Sequence, residues 1–487
     1  MFRKRATILL VRALNQSTPS VAPGAFYSSS TTYQGKTYEE TLRIRQTNLG
    51  PANVSFYRKK LLIHRGRMQY VWDHENKKYL DLFGGITTVS VGHCHPKVNE
   101  ALKAQLEKLW HTTCIYLTPP VHEYAEKLVA KMPGNLKVCY FTNSGSEAND
   151  LAIALARLHT GFYDMLSLRN DYHGMTQAVM GATNLSTWKH AFPHGFGHLK
   201  AMNADPYRGP WGGNKCRDSI SQTDRACDCS SADECRASDL YVNQFEETLK
   251  YDFPKQGMAG FLYEPIQVRF QGVGGSVQYP KRFIKRACEL VKQRGGLVIA
   301  DEVQTGFGRL GDKFWGFETQ DVIPDIVTMA KGIGNGFPLG AVVTTPEIAA
   351  ALAGATYFNT YAGDPLAMAV ASAVLDVIEE EELQKNCQIV GTYFLEKLIA
   401  LKAKSNIIGD VRGKGLMIGF ELVEDKKTRK PLAIERAEDV FEEIKDKGVL
   451  VGRSGLYGTC IRIKPPMCIT KEDVDLAVSV MESVVCD

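Results

Sequence analysis

Short apolar runs alternate with longer stretches of helical spacing through the middle of the chain. Apolar residues recur at helical intervals over Val98–Leu109 and Val121–Met132, which predicts helices there. Compact apolar runs at Val138–Phe141, Met165–Leu168, Gly260–Tyr263, Leu297–Ala300 and Ile326–Met329 predict buried strands. Strands alternating with helices imply a mostly parallel sheet covered on both faces. Upstream, Met68–Trp72 alternates, a turn falls at Asp73–Lys77, and Lys78–Leu82 continues, as in a hairpin. From residue 366 the pattern changes. A long helix over Ala367–Glu379 leads into short strands at Gly415–Leu422 and Cys460–Ile463 and then terminal helices. The expected fold class is therefore α/β: a large domain over 98–365 with an insertion at 205–240, and a smaller α+β domain over 366–487. Residues 39–97 are expected to pack with the small domain, and no internal repeat is visible.

Composition sharpens this picture at one place. At 44% hydrophobic, 23% charged and net +4, the 487-residue chain is an ordinary globular sequence. It has no basic block suited to nucleic acid and no run of 18 apolar residues that would span a membrane, so neither partner is expected. The first 38 residues differ. They contain no Asp or Glu, the first acid being Glu39. They carry Arg3, Lys4, Arg5 and Arg12 around an apolar stretch, Ala6–Leu14, followed by a Ser/Thr run, Ser28–Thr32. Arg-rich, Ser-rich and acid-poor describes a mitochondrial transit peptide, with a matrix destination; a secretory signal would have a longer uninterrupted apolar core, and a plain tail is the bland alternative.

Three short segments carry candidate chemistry. The strand Val138–Phe141 runs through Thr142-Asn-Ser-Gly-Ser146 into a helix starting at Glu147. Unpaired amides and the positive end of a helix make such a turn an anion cradle, or else a simple capping turn. Asp301 directly follows the apolar run Leu297–Ala300. A carboxylate there needs a partner to be buried, such as a protonated ring nitrogen, or it caps the next helix. Lys331 emerges from Asp325–Ala330 into a loop holding Gly332, Gly334 and Gly336. Desolvation would lower its pKa and free its amine as a nucleophile, whereas a surface lysine would not be flanked this way.

Taken together, these segments resemble the class III aminotransferases. The matching motifs are Asn143-Ser-Gly-Ser-Glu-Ala148, Tyr172-His-Gly174, Glu264-Pro-Ile-Gln267, Asp301-Glu-Val-Gln-Thr-Gly-Phe-Gly-Arg309 and Lys331-Gly-Ile-Gly-Asn-Gly-Phe-Pro-Leu-Gly340, in the family's order and spacing from about residue 50 onward. Trp110-His-Thr-Thr113, His122-Glu-Tyr-Ala-Glu-Lys127, Gly209-Pro-Trp-Gly-Gly213 and Phe358-Asn-Thr-Tyr361 point to the mitochondrial alanine–glyoxylate branch. The resemblance implies the fold type I architecture of pyridoxal 5'-phosphate enzymes and a homodimer or dimer of dimers. It implies Gly145 and Ser146 on the cofactor phosphate, and Tyr172 and Val303 on the two faces of its ring. Asp301 would pair with the ring nitrogen and Gln304 with the ring hydroxyl. His173 and Glu264 would complete the pocket, Thr360 would reach the phosphate of the neighbouring subunit, and Lys331 would carry the cofactor as a Schiff base. Arg412, in Val411-Arg-Gly-Lys-Gly415, would hold the substrate carboxylate, although a structural ion pair is the ordinary role of such an arginine. For Tyr172 the ordinary role is a core aromatic. The implied reaction is ping-pong transfer of an amino group from L-alanine to glyoxylate, with Lys331 moving the α-proton.

Departures from the family bear on the substrate. Relatives acting on γ- or δ-amines carry a glutamate after Glu-Pro-Ile-Gln; Val273 stands at the counterpart here, favouring α-amino donors. Val268–Gln271 reads as an insertion beside the active-site strand, and Asp364 replaces an asparagine. Other readings are an ω-amino acid transaminase, a phospho-lyase acting on amino alcohol phosphates, and a non-catalytic scaffold, which would be expected to lose Lys331 or Asp301. Of the twelve cysteines, Cys216, Cys227, Cys229 and Cys235 cluster in one polar stretch. They could hold a structural zinc, form a redox pair, or remain four reduced thiols; their spacing is not the paired CxxC pattern.

Overall fold

The computed structural model describes residues 32–52, 55–229, 234–267, 275–455 and 457–486. Most of the expected leader, the Val268–Gln271 insertion and Val273 lie outside the described residues. The chain begins with a helix at Tyr38–Asn48, closed at its start by a capping box between Thr37 and Glu40. An antiparallel meander follows: β1 (Ile63–Arg67), β2 (Tyr70–Asp73) and β3 (Lys78–Asp81).

The large sheet has seven strands: β4 (Val138–Thr142), β5 (Met165–Leu168), β6 (His198–Ala201), β7 (Gly260–Tyr263), β8 (Leu297–Asp301), β9 (Ile326–Met329) and β10 (Gly340–Thr344). Their order is β4-β10-β9-β8-β7-β5-β6. Only β10 runs against the others. Every residue of β5, β7, β9 and β10 is buried, as expected of strands covered on both faces. The five strands expected from apolar runs all form. β6 and β10 were not foreseen: β6 is half-buried and mixed, and β10 follows a glycine-rich loop that hides its start.

In the C-terminal region β11 (Ile408–Lys414), β12 (Met417–Asp425) and a two-residue β13 (Lys430–Pro431) are followed by β14 (Val449–Leu450), β15 (Gly452–Ser454) and β16 (Cys460–Ile463). The apolar run expected as one strand at Gly415–Leu422 is the second arm of a hairpin, with Gly415 (φ 54) in its turn. β14 adds in parallel to β3, pairing Val449 with Leu80 and Leu450 with Asp81. The N-terminal meander is thus stitched to the last hundred residues, and Asp473 accepts a hydrogen bond from Gln69 at 2.7 Å. The helix expected at Ala367–Glu379 spans Pro365–Glu380, and Asp364 caps it by accepting from the amides of Leu366 and Ala367. No helix among the described residues is long and apolar enough to cross a membrane.

Candidate functional site

The carboxyl ends of β4, β8 and β9 converge on one cavity, as parallel sheets arrange. It is lined by Gly145, Ser146, Asn149, Tyr172, His173, Gly174, Glu264, Asp301, Val303, Gln304 and Lys331. Nine of the residues singled out from sequence meet here, from segments almost two hundred positions apart.

One wall is the start of the helix Gly145–Thr160. Ser144 caps it, its hydroxyl accepting from the Glu147 amide at 3.2 Å. The first-turn amides have no carbonyl within the helix to bond, so they face the cavity as donors. Side chains are excluded here. A Cβ on Gly145 would stand 2.9 Å from Val303, and one on Gly174 (φ 140) 2.5 Å from the Ser146 hydroxyl.

The floor is Asp301, the last residue of β8 and buried. Its Oδ2 accepts from Asn149 Nδ2 at 2.9 Å and stands 2.8 Å from His173 Nδ1, while Oδ1 accepts from the Val303 amide at 3.1 Å. His173 also lies 3.4 Å from Asp171. Burial opposes a charge on this imidazole, but hydrogen bonds to Asp171 and Asp301 outweigh it and raise its pKa to about 10. With partners on both oxygens, the Asp301 carboxyl is fixed in orientation at the cavity floor. Asn149 was not foreseen. Its signal was a polar residue one turn into an otherwise apolar helix; it also donates to the His173 carbonyl at 2.7 Å and accepts from Thr328 at 2.6 Å.

Lys331 enters from β9 in the left-handed region, φ 51. A non-glycine residue there costs about 1–2 kcal/mol, so the surroundings must impose it. They do so next door: Ser90 donates to the Gly332 carbonyl at 2.7 Å, and Asn335 bonds the backbone of Val91 and Gly92 at 3.0 and 2.9 Å. Burial lowers the Lys331 pKa to about 8, opposed by the charges of Asp301 and Glu264 and assisted by Arg462. Glu264 accepts from the Tyr172 amide at 3.1 Å, fixing the Tyr172 backbone beside the floor. Gln304 Oε1 accepts from Thr87 at 3.1 Å and from Lys464 at 3.2 Å. Both donors sit on the carbonyl oxygen, which leaves the amide nitrogen as the donor.

Two expected residues are not at the cavity. Thr360 is exposed and does not line it. Arg412 is buried in β11, and its guanidinium is taken up by the Gly275 carbonyl at 2.6 Å, Asp410 at 2.9 Å and Glu421 at 3.0 Å. Asp410 is in turn held bidentately by Arg217. Arg412 therefore sits within an ion-pair network beside the insertion rather than among the cavity residues. A second buried arginine, Arg462 on β16, acts on the cavity: its charge reaches Lys331, and burial lowers its pKa to about 10, with Cys460 and then Glu264 opposing. Sequence reasoning passed over it, since both arginines lie in apolar strands and only the fold separates them.

The residues at this cavity fit pyridoxal 5'-phosphate. A donor-rich helix start, a carboxyl group fixed by three partners, a tyrosine and a valine, and an amine of lowered pKa are the groups its phosphate, ring and aldehyde require.

Comparison with known proteins agrees with the geometry. The family model described as "Aminotransferase class-III" matches residues 53–485. The human protein named "Alanine--glyoxylate aminotransferase 2, mitochondrial" is 53% identical over 452 residues, covering 93% of this chain and 87% of that protein. Among solved structures, a phospholyase from Arthrobacter in complex with phosphoethanolamine superposes with TM-score 0.81 at 31% identity, covering 92% of this chain and 99% of that one. An amine transaminase from an uncultivated Pseudomonas species, solved in its PLP-bound form, gives TM-score 0.78 at 32% identity, covering 90% and 97%.

Proposed function

The chain belongs to the class-III aminotransferases, and from that premise we propose that it transfers the amino group of L-alanine to glyoxylate, releasing pyruvate and glycine, with pyridoxal 5'-phosphate as cofactor. The observation that carries this reading is the pairing, in one cavity, of an amine of lowered pKa at Lys331 with the donor-fixed carboxylate of Asp301.

The lining of the cavity supports a role for each residue. Gly145 and Ser146 would hold the phosphate with first-turn amides and a hydroxyl. Tyr172 and Val303 would bound the ring, Asp301 would pair with its nitrogen, and Gln304 would donate to its hydroxyl. When bound, the cofactor supplies an electron sink for the substrate's α-carbon. His173 and Asn149 hold the Asp301 carboxyl in place to face that ring. Lys331, neutral in a useful fraction near pH 8, anchors the cofactor and then takes the proton from the amino acid's α-carbon. Arg462, rather than Arg412, holds the substrate carboxylate, because its charge reaches Lys331 while Arg412 is committed to Asp410 and Glu421.

The enzyme works as a homodimer in this reading. Trp110, Ile115, Tyr116, Leu117, Phe358 and Tyr361 are large, apolar and exposed on the single chain, which suits an interface with a second copy. Thr360 lies among them and would serve the partner's cofactor. The Arg-rich, acid-poor leader, with the mitochondrial naming of the human relative, supports a matrix location.

The test is a pair of assays on the cofactor-loaded enzyme. With alanine and glyoxylate, pyruvate and glycine should form in equal amounts. Phosphate released from phosphoethanolamine, with no pyruvate formed from alanine, would instead place the enzyme with the phospho-lyases.

A further inference from the structure

Between β6 and the helix Arg236–Asp252 the chain runs from Met202 to Cys235 with no helix or strand among its described residues. Long irregular insertions of this kind need fastening. This one is nonetheless packed inward. Arg217 is buried and holds Asp410 of β11 through both guanidinium nitrogens, at 2.9 and 2.7 Å. Ser219 donates to the Gly413 carbonyl at 3.1 Å, and Ser221 donates to the carbonyl of Val411. The insertion thereby braces the strand that carries Arg412.

The cysteines sit at the root of this brace, with Cys216 adjacent to Arg217. Cys216, Cys229 and Cys235 are all buried, and their sulfurs lie within 4.8 Å of one another. Cys227 Sγ lies 3.7 Å from Cys216 Sγ and 2.7 Å from Cys229 Sγ. All four are free thiols. A tetrahedral zinc with bonds of about 2.3 Å sets its sulfurs ~3.8 Å apart. The Cys216–Cys227 edge has that length, and the Cys227–Cys229 pair needs to open by only about 1 Å to match it. Four thiols this close, three of them buried at the edge of the hydrophobic core, are what a soft divalent cation organises.

We propose that Cys216, Cys227, Cys229 and Cys235 bind one structural zinc ion, which locks the described part of the insertion, 203–229, and so fixes the brace of Arg217 on Asp410. Binding replaces four thiol protons with one zinc, giving a centre of net charge −2 and releasing four protons. The cavity that Cys229 and Cys235 share carries four cations and four carboxylates, with Arg236 paired to Asp228 and Arg286 to Asp239, so the centre's charge is carried beside a balanced, polar rim.

The test uses the full-length, cofactor-loaded enzyme, purified without chelator from zinc-supplemented cells. Elemental analysis should give about one zinc per chain, and Cys216→Ser and Cys235→Ser should each drop below ~0.1 per chain. Should those variants fail to fold, cobalt exchanged into the unmodified enzyme should show thiolate-to-cobalt charge transfer and strong tetrahedral visible bands. Removal of zinc by chelator should raise amide exchange across 203–229. Zinc below ~0.1 per chain in the unmodified enzyme, iron in its place, full zinc content in the serine variants, cobalt bands without thiolate character, a disulfide within the cluster, or unchanged exchange after chelation would each overturn the proposal.

Discussion

His173 Nδ1 stands 2.8 Å from Asp301 Oδ2, both buried at the cavity floor, and this contact orients the carboxylate presented to the cofactor ring. A lone buried carboxylate would take up a proton. Here an imidazole whose pKa is raised to about 10, the Asn149 amide and the Val303 amide surround the carboxylate with donors. Asp301→Asn should keep the fold and the cofactor phosphate site but lower kcat by about 100- to 1,000-fold, the usual loss when a preorganised charge at the reacting group is removed. His173→Gln should cost about tenfold or more, since a charge-assisted hydrogen bond is worth ~1.5–3 kcal/mol. Steady-state kinetics under saturating cofactor check both.

Cofactor capture should depend on pH through Lys331. Only the neutral amine attacks an aldehyde. With its pKa lowered to about 8, roughly a tenth is neutral at pH 7, against under a thousandth for an ordinary lysine. The rate at which cofactor-free enzyme attaches pyridoxal phosphate should rise about tenfold per pH unit below 8 and level off above it. Asp301 opposes the lowering, so Asp301→Asn should move the midpoint to lower pH. Stopped-flow absorbance across pH 6–10 would show both.

The two buried arginines should separate cleanly. Arg462→Ala should lower kcat/KM for alanine by about 30- to 1,000-fold, chiefly through KM, as expected from loss of a desolvated charge pair worth ~2–4 kcal/mol. Arg412→Ala should remove one of two cations from each of Asp410 and Glu421, which Arg217 and Arg208 still hold, take the donor from the Gly275 carbonyl, and destabilise the fold by about 1–3 kcal/mol. Its KM for alanine should be close to that of the unmodified enzyme wherever it remains folded. Thermal melts beside kinetics distinguish the two.

Lys464 donates to the Gln304 carbonyl oxygen at 3.2 Å, and with Thr87 it sets which end of that amide meets the cofactor. Its pKa is held well below the lysine range by burial, then by the charges of Arg462 and Lys331. Lys464→Met keeps the volume and removes the donor. Cofactor affinity should weaken by about 3- to 10-fold, the worth of one ordinary hydrogen bond, in titrations of the cofactor-free enzyme.

What the sequence showed, and what it concealed, follows from how local each signal is. A strand ending in a carboxylate, a strand ending in a lysine and a glycine turn before a helix are each contiguous, so Asp301, Lys331 and Gly145 could be named one by one. Buried strands such as Met165–Leu168 announce themselves in the same way. Asn149 and Lys464 could not be placed, because a polar residue in an apolar element gains meaning only from a partner far along the chain: Asp301 for one, Gln304 for the other. Arg412 misled for that reason too. Its surrounding motif is local, but Asp410, Glu421 and Gly275 decide what its guanidinium touches. Thr360 is exposed and away from the cavity, so its proposed role depends on a second copy of the chain.

The account rests on Lys331 being the amine that takes the cofactor, although Lys464 is a second buried amine within reach of Gln304. Reduction of the cofactor-loaded enzyme with borohydride, followed by digestion and peptide mass mapping, tests this directly. The account predicts one pyridoxyl group per chain, on Lys331 Nζ, and none after Lys331→Ala. A stable pyridoxyl group on Lys464 or any other lysine of the unmodified enzyme, or on none, would contradict it.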